Sequence, residues 1–394
     1  MKVRKAWVVA GAMAVAVVPS VTTAGPAAAK PQAAKPQAAK PQAAKPRAAG
    51  PVAQVLPPLP GDTGAGASLI NDAGQVVGSS RNADRYRPVR WEPDLTPTRL
   101  GLLEGGTNAD PKAIVADGSI AGQAEGADKQ WHAVVWGTSG AVRRLPEPTG
   151  YLTSAAEDLN DDGVAVGTAS DNWVTRAVRW NRQGQPELLP VEPGMRYSKA
   201  LFVDKQGNAY GWMSSTATPG DVVRWDRSGN ITRLKSPDDP YYTRAELRDV
   251  NDRGTAVGSN GTSEDWVASL ALPGGTFSAL PGARHKSTVS DVNATDVVLG
   301  YANGGPTRWE GGEMVRLQPV PGTVDVQAYA LNDAGTVVGS SSVNAVTWDA
   351  SGRPTKLPVT PDVQSARGTA INRPGHVLGT IDTWTASRVP VVWR

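Results

Sequence analysis

The sequence predicts an all-β fold, an eight-bladed β-propeller of four-stranded blades, and three observations support this prediction. A segment of 39–47 residues recurs eight times, which is in the range of propeller blades. No stretch shows the 3.6-residue apolar period of a helix. The last copy also lacks its final strand, and a matching segment stands at the start of the repeat region.

A glycine and a tryptophan mark each copy. The glycine ends the second strand and recurs at Gly78, Gly122, Gly167, Gly211, Gly258, Gly300, Gly339 and Gly379. The tryptophan ends the third strand at Trp91, Trp136, Trp180, Trp225, Trp309, Trp348 and Trp393, and we expect all seven in the core. In the fifth copy, Leu270 is predicted to take the place of the tryptophan.

Each copy contains four predicted strands, which we name a to d. Strand a is short and apolar, and an Asn-Asp-x-Gly turn such as Asn160–Gly163 follows it. The Asn starts this turn by bonding the backbone, and the Gly adopts the left-handed conformation that the turn needs. Strand b is β-branched (Val76–Val77), strand c alternates apolar and polar residues (Ala177–Trp180), and strand d follows a short turn.

Arginines alternate with apolar residues in strands c and d. This pattern predicts a solvated strand face for them. They are Arg90, Arg179, Arg224 and Arg308 in strand c, and Arg99, Arg144, Arg233 and Arg316 in strand d.

The ring is predicted to close between the two ends of the repeat region. The eighth copy stops at Trp393 and Arg394, whereas Ala53–Pro57 resembles strand d of other copies, such as Thr355–Pro358. The first strand therefore completes the last blade, which removes two open sheet edges. A different closed or stacked all-β repeat is the alternative.

The copies resemble the extracellular HAF-repeat family, whose pattern is N-x-x-G-x-V-V-G followed by H-A-F-x-W. Asn71–Gly78 reads NDAGQVVG, and His132–Trp136 reads HAVVW. The resemblance covers residues 53–394, although most copies lack the His-Ala pair. It implies secretion and a propeller-like fold, and it transfers no catalytic residues.

The N-terminus reads as a secretory signal peptide at residues 1–24. Basic residues precede a 13-residue apolar run, Ala6–Val18, and cleavage after Ala24 or as late as Ala29 fits the small residues there. We therefore expect a secreted or cell-wall-associated bacterial protein with no membrane span after cleavage. An uncleaved anchor is the alternative.

Residues 25–50 repeat Ala-Lys-Pro-Gln-Ala and predict a disordered, extended spacer before the propeller domain of residues 51–394. The positive charges of this spacer allow electrostatic contact with an anionic cell wall. A plain spacer is the alternative.

Composition excludes several function classes. The chain has no cysteine, which rules out thiolate chemistry. It has three histidines, so a multi-histidine metal centre is not expected. Residues 1–50 hold eight Lys or Arg and no acid, which leaves 32 basic and 37 acidic residues in residues 51–394. A domain with this mildly acidic balance argues against nucleic-acid binding.

Aromatic residues outside the repeat framework form the candidate ligand site. Because a–b and c–d are tight hairpins, the b–c and d–a loops emerge together on one face, which we call the loop rim. Flat rings there suit stacking on sugars or docking a protein, although packing between blades is the alternative. The candidates are Tyr86, Trp131, Trp173, Trp266 and Trp384 in b–c loops, and Tyr151, Tyr197, Tyr241 and Tyr242 in d–a loops.

Calcium binding and catalysis are weaker alternatives. Asp158–Gly163 matches the opening of a calcium loop but has no acid at the ninth or twelfth position, and equivalent turns lack its acids. His285, in the fifth d–a loop, is the histidine placed near the rim aromatics, while His132 and His376 are interpreted as structural. Glu157 and Glu246, in strand a, are candidates for facing the central channel.

The sequence thus predicts a secreted, non-enzymatic binding or scaffold module without a cofactor or metal. Its partner would be an extracellular glycan or protein held at the loop rim. A polysaccharide lyase or hydrolase using the same rim, and a structural cell-surface protein, are the alternatives.

Overall fold

The computed structural model describes residues 3–4, 52–83, 85–216, 220–234, 244–262 and 265–394. Every regular element in these ranges is a β-strand, and they contain no helix long and apolar enough to cross a membrane. The chain divides into two units, Met1–Ala6 with Pro51–Arg394, and Trp7–Gly50. The predicted spacer and, apart from Val3–Arg4, the predicted signal peptide lie outside the described residues.

The strands form eight antiparallel four-stranded sheets in the order a-b-c-d, which are the blades. Blade 1 consists of Gly64–Ile70, Val76–Arg81, Tyr86–Trp91 and Pro97–Arg99, and blade 2 of Ala109–Ile114, Ile120–Glu125, Trp131–Trp136 and Val142–Arg144. Blade 3 consists of Thr153–Leu159, Ala165–Ser170, Thr175–Trp180 and Pro186–Leu188, and blade 4 of Tyr197–Val203, Ala209–Ser214, Asp221–Trp225 and Ile231–Arg233. Val3–Arg4 adds a two-residue strand beside strand a of blade 2.

Blade 5 consists of Arg244–Val250, Ala256–Gly261, Trp266–Ala271 and Ser278–Ala279, and blade 6 of Thr288–Val292, Val298–Ala302, Gly305–Glu310 and Glu313–Arg316. Blade 7 consists of Val326–Leu331, Val337–Ser341, Asn344–Trp348 and Pro354–Lys356, and blade 8 of Val363–Ile371, Val377–Thr383, Val389–Trp393 and Ala53–Val55. The eight-bladed propeller predicted from the repeat is confirmed.

The ring closes where the sequence predicts. Ala53 pairs with Trp393 and Val55 with Val391, so the first propeller strand is strand d of the last blade. Each strand a contacts strand a of both neighbouring blades, which makes these eight strands the innermost layer around a central channel. No blade therefore presents an open edge at the seam between chain ends.

The repeated glycine is required because strand b passes very close to strand a. A Cβ on Gly211 would lie 1.9 Å from the carbonyl oxygen of Lys199, and one on Gly339 would lie 1.9 Å from that of Gln327. Strand a carries a β-bulge at this level in all eight blades, which leaves one residue per blade out of the ladder. The bulge and the close approach explain a feature that the sequence shows only as a repeated glycine.

The framework tryptophans join consecutive blades. All seven are buried, and each indole Nε1–H donates to a carbonyl that follows strand d of the preceding blade, over 2.7–3.0 Å. The acceptors are Pro57, Gly101, Pro146, Pro190, Pro281, Gln318 and Pro358. The tryptophan thus supplies apolar burial and one directed bond at each of these seams.

The fifth blade corrects one assignment. The residue in register with the tryptophans is Ala271, which pairs with Ala256, so Leu270 does not occupy that position. The space over Gly258 is filled by Phe277, whose ring lies 2.9 Å from a Cβ built on that glycine. Phe277 comes from the c–d turn, and its spacing therefore does not follow the repeat.

The Asn of the a–b turn also joins blades. Its side-chain oxygen accepts the turn's own backbone N–H, and its amide donates to a backbone carbonyl of the next blade's turn. The donors are Asn71, Asn160, Asn251, Asn293, Asn332 and Asn372, and the last of them reaches Asn71 across the seam at 3.0 Å. Val115 takes this place in blade 2 and Asp204 in blade 4.

The prediction for the strand c arginines is wrong for three of the four. Arg90, Arg179 and Arg308 are buried and donate to turn carbonyls of the next blade. These backbone carbonyls accept the hydrogen bonds that water would accept at the surface, which a buried guanidinium requires. The strand d arginines, Arg99, Arg144, Arg233 and Arg316, are exposed as predicted.

Candidate functional site

The loop rim carries most of the described aromatic residues outside the framework. The a–b and c–d turns of the opposite face, all of which are described, contain one aromatic residue, Phe277, and it is buried. The predicted segregation of aromatic side chains to the loop rim is therefore largely correct.

Trp173 is held out from the rim by a rigid turn. Its side chain is 78 % exposed in the b–c loop of blade 3. Asp171 accepts the backbone N–H groups of both Trp173 and Val174, and these bonds lower the pKa of Asp171. The loop backbone is therefore fixed by its own carboxylate while the indole faces solvent.

Trp384 is presented in a similar way in blade 8. It is 80 % exposed, and its loop is held by Asp382, which accepts the Arg388 backbone N–H and the Ser365 hydroxyl. Those two bonds lower the pKa of Asp382. A second indole thus stands on a loop whose polar groups are bonded internally.

Tyr86 and Trp131 open strand c in blades 1 and 2. They are 60 % and 37 % exposed. Together with Trp173 and Trp384 they give one exposed aromatic side chain to each of blades 8, 1, 2 and 3, which are consecutive in the ring. We call these four residues the aromatic arc.

The other predicted rim residues are less available or outside the described residues. Trp266 and Tyr197 are half-buried, and Arg196 stacks over Tyr197 at 5.6 Å from the ring centre. Tyr151 packs against the core between blades 2 and 3. Tyr241 and Tyr242 lie outside the described residues.

Two further exposed side chains lie on this surface, and sequence reasoning missed the first of them. Leu152 is exposed, and its backbone N–H donates to Ser170 beside the Trp173 loop. Tyr301, at the end of strand b in blade 6, is also exposed and stands apart from the aromatic arc. A lone Leu at a strand end carries no pattern that separates it from the core.

A buried histidine supports Trp131. His132 lies within strand c, and its ring nitrogens contact Glu147 at 2.8 Å and Asp128 at 3.0 Å. Burial raises the pKa of Glu147, but bonds from Arg144, Ser154 and His132 outweigh that effect and lower it. This network ties the b–c loop of blade 2 to the following d–a loop, so His132 is structural, as expected.

His285 is placed differently, because it is 84 % exposed on the loop rim. Its Nδ1 bonds the Asp265 carboxylate, and this bond lowers the pKa of Asp265. Lys286 donates its backbone N–H to the same carboxylate, and Ser287 donates to the Trp266 carbonyl. Within the described residues, Nε2 of His285 has no bonding partner.

The third histidine, His376, immediately precedes strand b of blade 8 instead of lying in it. Its backbone N–H donates to Asn372 in the a–b turn. Burial lowers the pKa of its imidazole. It belongs to the turn framework.

The calcium-like turn uses its oxygens for blade contacts. Asp158 accepts the Val203 backbone N–H at 2.8 Å, and Asp161 accepts that of Ala116 at 3.1 Å. Among the described residues, no group of three or more His, Asp or Glu side chains is arranged to hold a metal ion.

The bulged residues of strand a belong to the innermost strands of the ring. Lys112 and Glu157, which are bulged residues of blades 2 and 3, form an ion pair at 2.7 Å. Glu246 pairs with Arg248 at 2.7 Å in blade 5. Each of the two glutamates that were candidates for facing the channel thus has a cation partner.

No family model matches the sequence, and neither does any curated protein. Solved propellers match it at low identity. A streptogramin B lyase structure is 9 % identical with a TM-score of 0.41, and the match covers 86 % of this chain and 96 % of that one. Dipeptidyl peptidase 4 of Porphyromonas gingivalis is 14 % identical with a TM-score of 0.53, covering 84 % and 58 %. A puromycin hydrolase is 16 % identical with a TM-score of 0.42, covering 85 % and 51 %.

These comparisons correct the expectation that the protein is not an enzyme. The match with a TM-score of 0.53 is to a peptidase, so a propeller architecture gives no reason to exclude catalysis. At identities of 9–16 % the likeness establishes the fold alone.

Proposed function

We propose that this is a secreted bacterial propeller that binds an extracellular glycan at the aromatic arc. The observation that carries the proposal is the exposure of Tyr86, Trp131, Trp173 and Trp384 on consecutive blades. An exposed indole gains nothing for folding, whereas it provides a large flat contact area at low entropic cost on binding. The resemblance to HAF repeats and the predicted signal peptide support an extracellular location.

A glycan fits the arc better than a protein partner does. The rings stand singly, one in each blade, on loops held by Asp171, Asp382 and similar polar groups. A stable protein interface needs a contiguous, largely apolar core. Successive sugar rings instead stack on separate aromatic faces and bond the polar groups between them.

Isothermal titration of the purified protein with a polysaccharide panel tests this proposal. We expect Trp173→Ala and Trp384→Ala each to weaken binding about tenfold, the loss of one stacking contact of about 1.4 kcal/mol. Leu272→Ala is the control, because Leu272 is an exposed apolar side chain in a c–d turn of the opposite face. Strong loss of thermal stability in the tryptophan variants, or equal binding in all three, refutes the proposal.

A second candidate function is proton-transfer catalysis on a bound polysaccharide, and the geometry of His285 favours it. A carboxylate on Nδ1 fixes the imidazole tautomer and leaves Nε2 as a base facing solvent beside Trp266. The test is release of unsaturated products or reducing ends from the same panel. Turnover that is lost in His285→Ala while binding persists supports catalysis, and no turnover in the wild type excludes it for that panel.

A further inference from the structure

Two residues of each strand a, one at the bulge and one two residues before it, belong to the innermost layer of the ring. In each blade, one residue of strand a pairs with the repeated glycine of strand b. Strand a starts at the loop rim, so the residue just before that pair lies nearer the rim. We call these eight residues the mouth row. They are Gly66, Asp110, Ala155, Lys199, Glu246, Thr288, Gln327 and Arg367. The bulged residues lie deeper and are Ser68, Lys112, Glu157, Leu201, Arg248, Ser290, Tyr329 and Thr369.

These positions differ in every blade although the backbone around them repeats. The bulge and the close approach of the glycine recur eight times, but the side chains range from Gly and Ser to Lys, Glu, Arg and Tyr. The framework therefore uses the backbone at this level and places no demand on the side chain. Varied polar chemistry on a constant scaffold is typical of a binding surface.

In the described ranges of the chain, the ion pairs at this level leave two cations of the mouth row without a carboxylate. Lys112 pairs with Glu157 and Arg248 with Glu246. Among the described residues, no carboxylate forms an ion pair with Lys199 or Arg367.

The neighbours of these two cations leave their charges available to a ligand. Arg367 lies over the Tyr329 ring at 5.7 Å, which fixes the guanidinium between blades 7 and 8. Arg367 contributes to the lowered pKa of Asp382, but Asp382 is bonded to Ser365 and Arg388. Lys199 is half-buried, and an ammonium in that position favours a counter-ion.

The two cations stand at opposite ends of the aromatic arc. Arg367 belongs to blade 8 and Lys199 to blade 4, which are diametrically opposite in a ring of eight. The exposed rings of blades 8, 1, 2 and 3 occupy the half-ring between them. A single small anion cannot reach both cations, whereas an extended polymer following the arc meets aromatic faces along its length and a cation at each end.

We propose that the glycan is an acidic polysaccharide, with carboxylate groups paired to Lys199 and Arg367 and sugar rings stacked on the aromatic arc. This inference rests on the proposed function and adds the substrate class. The domain of residues 51–394 has more acidic than basic residues, and the mouth row also holds Asp110 and Glu246, so the attraction comes from Lys199 and Arg367 themselves. It therefore depends on short-range pairs that salt weakens.

Two polymers with one backbone test the inference, polygalacturonate and its fully methyl-esterified, neutral form. Lys199→Gln and Arg367→Gln are each expected to weaken binding of polygalacturonate about tenfold and to leave binding of the ester unchanged. Lys356→Gln is the control, because Lys356 is an exposed strand d cation far along the blade from the channel. A poly(glycerol phosphate) arm shows whether phosphate replaces the carboxylate.

The outcomes separate this inference from the proposed function. If the neutral ester binds as tightly as polygalacturonate, or if both Gln variants bind like the wild type, the acidic class is wrong while the arc stands. If binding depends on Lys199 and Arg367 but not on Trp173 or Trp384, the arc is wrong. Tighter, Lys199-dependent binding of poly(glycerol phosphate) reassigns the anion to phosphate and overturns the carboxylate.

Discussion

Replacing Asn372 with alanine tests whether the side-chain amides of the a–b turns hold the blades together. Asn372 is buried at the seam, donates its amide to the Asn71 carbonyl at 3.0 Å and accepts the His376 backbone N–H at 2.8 Å. The Asn71 carbonyl keeps a bond from Gly74, so the first loss costs about 1 kcal/mol. The unpaired N–H of His376 adds about 1–2 kcal/mol, for a total of about 2–3 kcal/mol.

Two further variants isolate the inter-blade bond. Asn372→Asp keeps the turn acceptor but turns an oxygen toward the Asn71 carbonyl, so we expect a loss of about 3 kcal/mol at pH 7 and partial recovery in acid, when the protonated carboxyl donates. Asn181→Ala removes the same type of turn bond, to Gln185, at an exposed c–d turn where the Asn side chain bonds only within its own turn. It should cost about 0.5–1 kcal/mol.

Urea denaturation followed by tryptophan fluorescence measures these differences. The framework indoles lie at the seams, so their emission reports separation of the blades. A loss in Asn372→Ala no greater than in Asn181→Ala refutes the inter-blade role, because the turn alone would then account for the repeated Asn.

Three more predictions follow from the blade geometry. Gly211→Ala places a Cβ 1.9 Å from the Lys199 carbonyl oxygen and should leave little soluble protein, whereas Gly137→Ala, with no atom within 4 Å, should melt like the wild type in a thermal scan. Burial and the neighbouring Asp249 raise the pKa of the Asp291 carboxyl in the folded protein. The free energy of unfolding should therefore fall as the pH rises from the pKa that Asp291 has in the unfolded chain through its pKa in the folded protein. Asp291→Asn should therefore be more stable than the wild type at pH 7 and equal to it near pH 3, and a pH-independent difference in denaturation midpoint would contradict the titration. Tyr210→Phe removes a hydroxyl that bonds Asp204 and, across the seam between blades 4 and 5, the Gly254 carbonyl. At this seam Asp204 takes the place of the turn Asn, so we expect a loss of about 1–2 kcal/mol in the free energy of unfolding, measured by urea titration. No loss would show that this seam does not need the hydroxyl.

The sequence predicts the blades well because their signals are local. Turn chemistry such as Asn-Asp-x-Gly, strand patterning and the repeat length need no knowledge of the neighbours. The pairing of Ala53 with Trp393 also followed from the sequence, because a strand missing at one end matched a spare strand at the other.

Contacts between blades were the source of the errors. Arg90 reads as a solvated strand residue, yet its guanidinium is buried because turn carbonyls of the next blade face it. The position of Phe277 was missed because a c–d turn in blade 5 supplies the ring that other blades take from strand c. Both depend on residues about one repeat away along the chain.

The candidate site divides in the same way. The sequence placed the aromatic residues on one face, because hairpin direction alone fixes which loops share a rim. Only the tertiary structure decided that Trp173 and Trp384 are exposed while Tyr151 is packed. It also decided that, within the described part of the chain, Lys199 and Arg367 form no ion pair with a carboxylate. The order of the strands follows from local sequence patterns. The exposure of a side chain and the pairing of its charge depend instead on neighbouring residues that only the closed ring brings close.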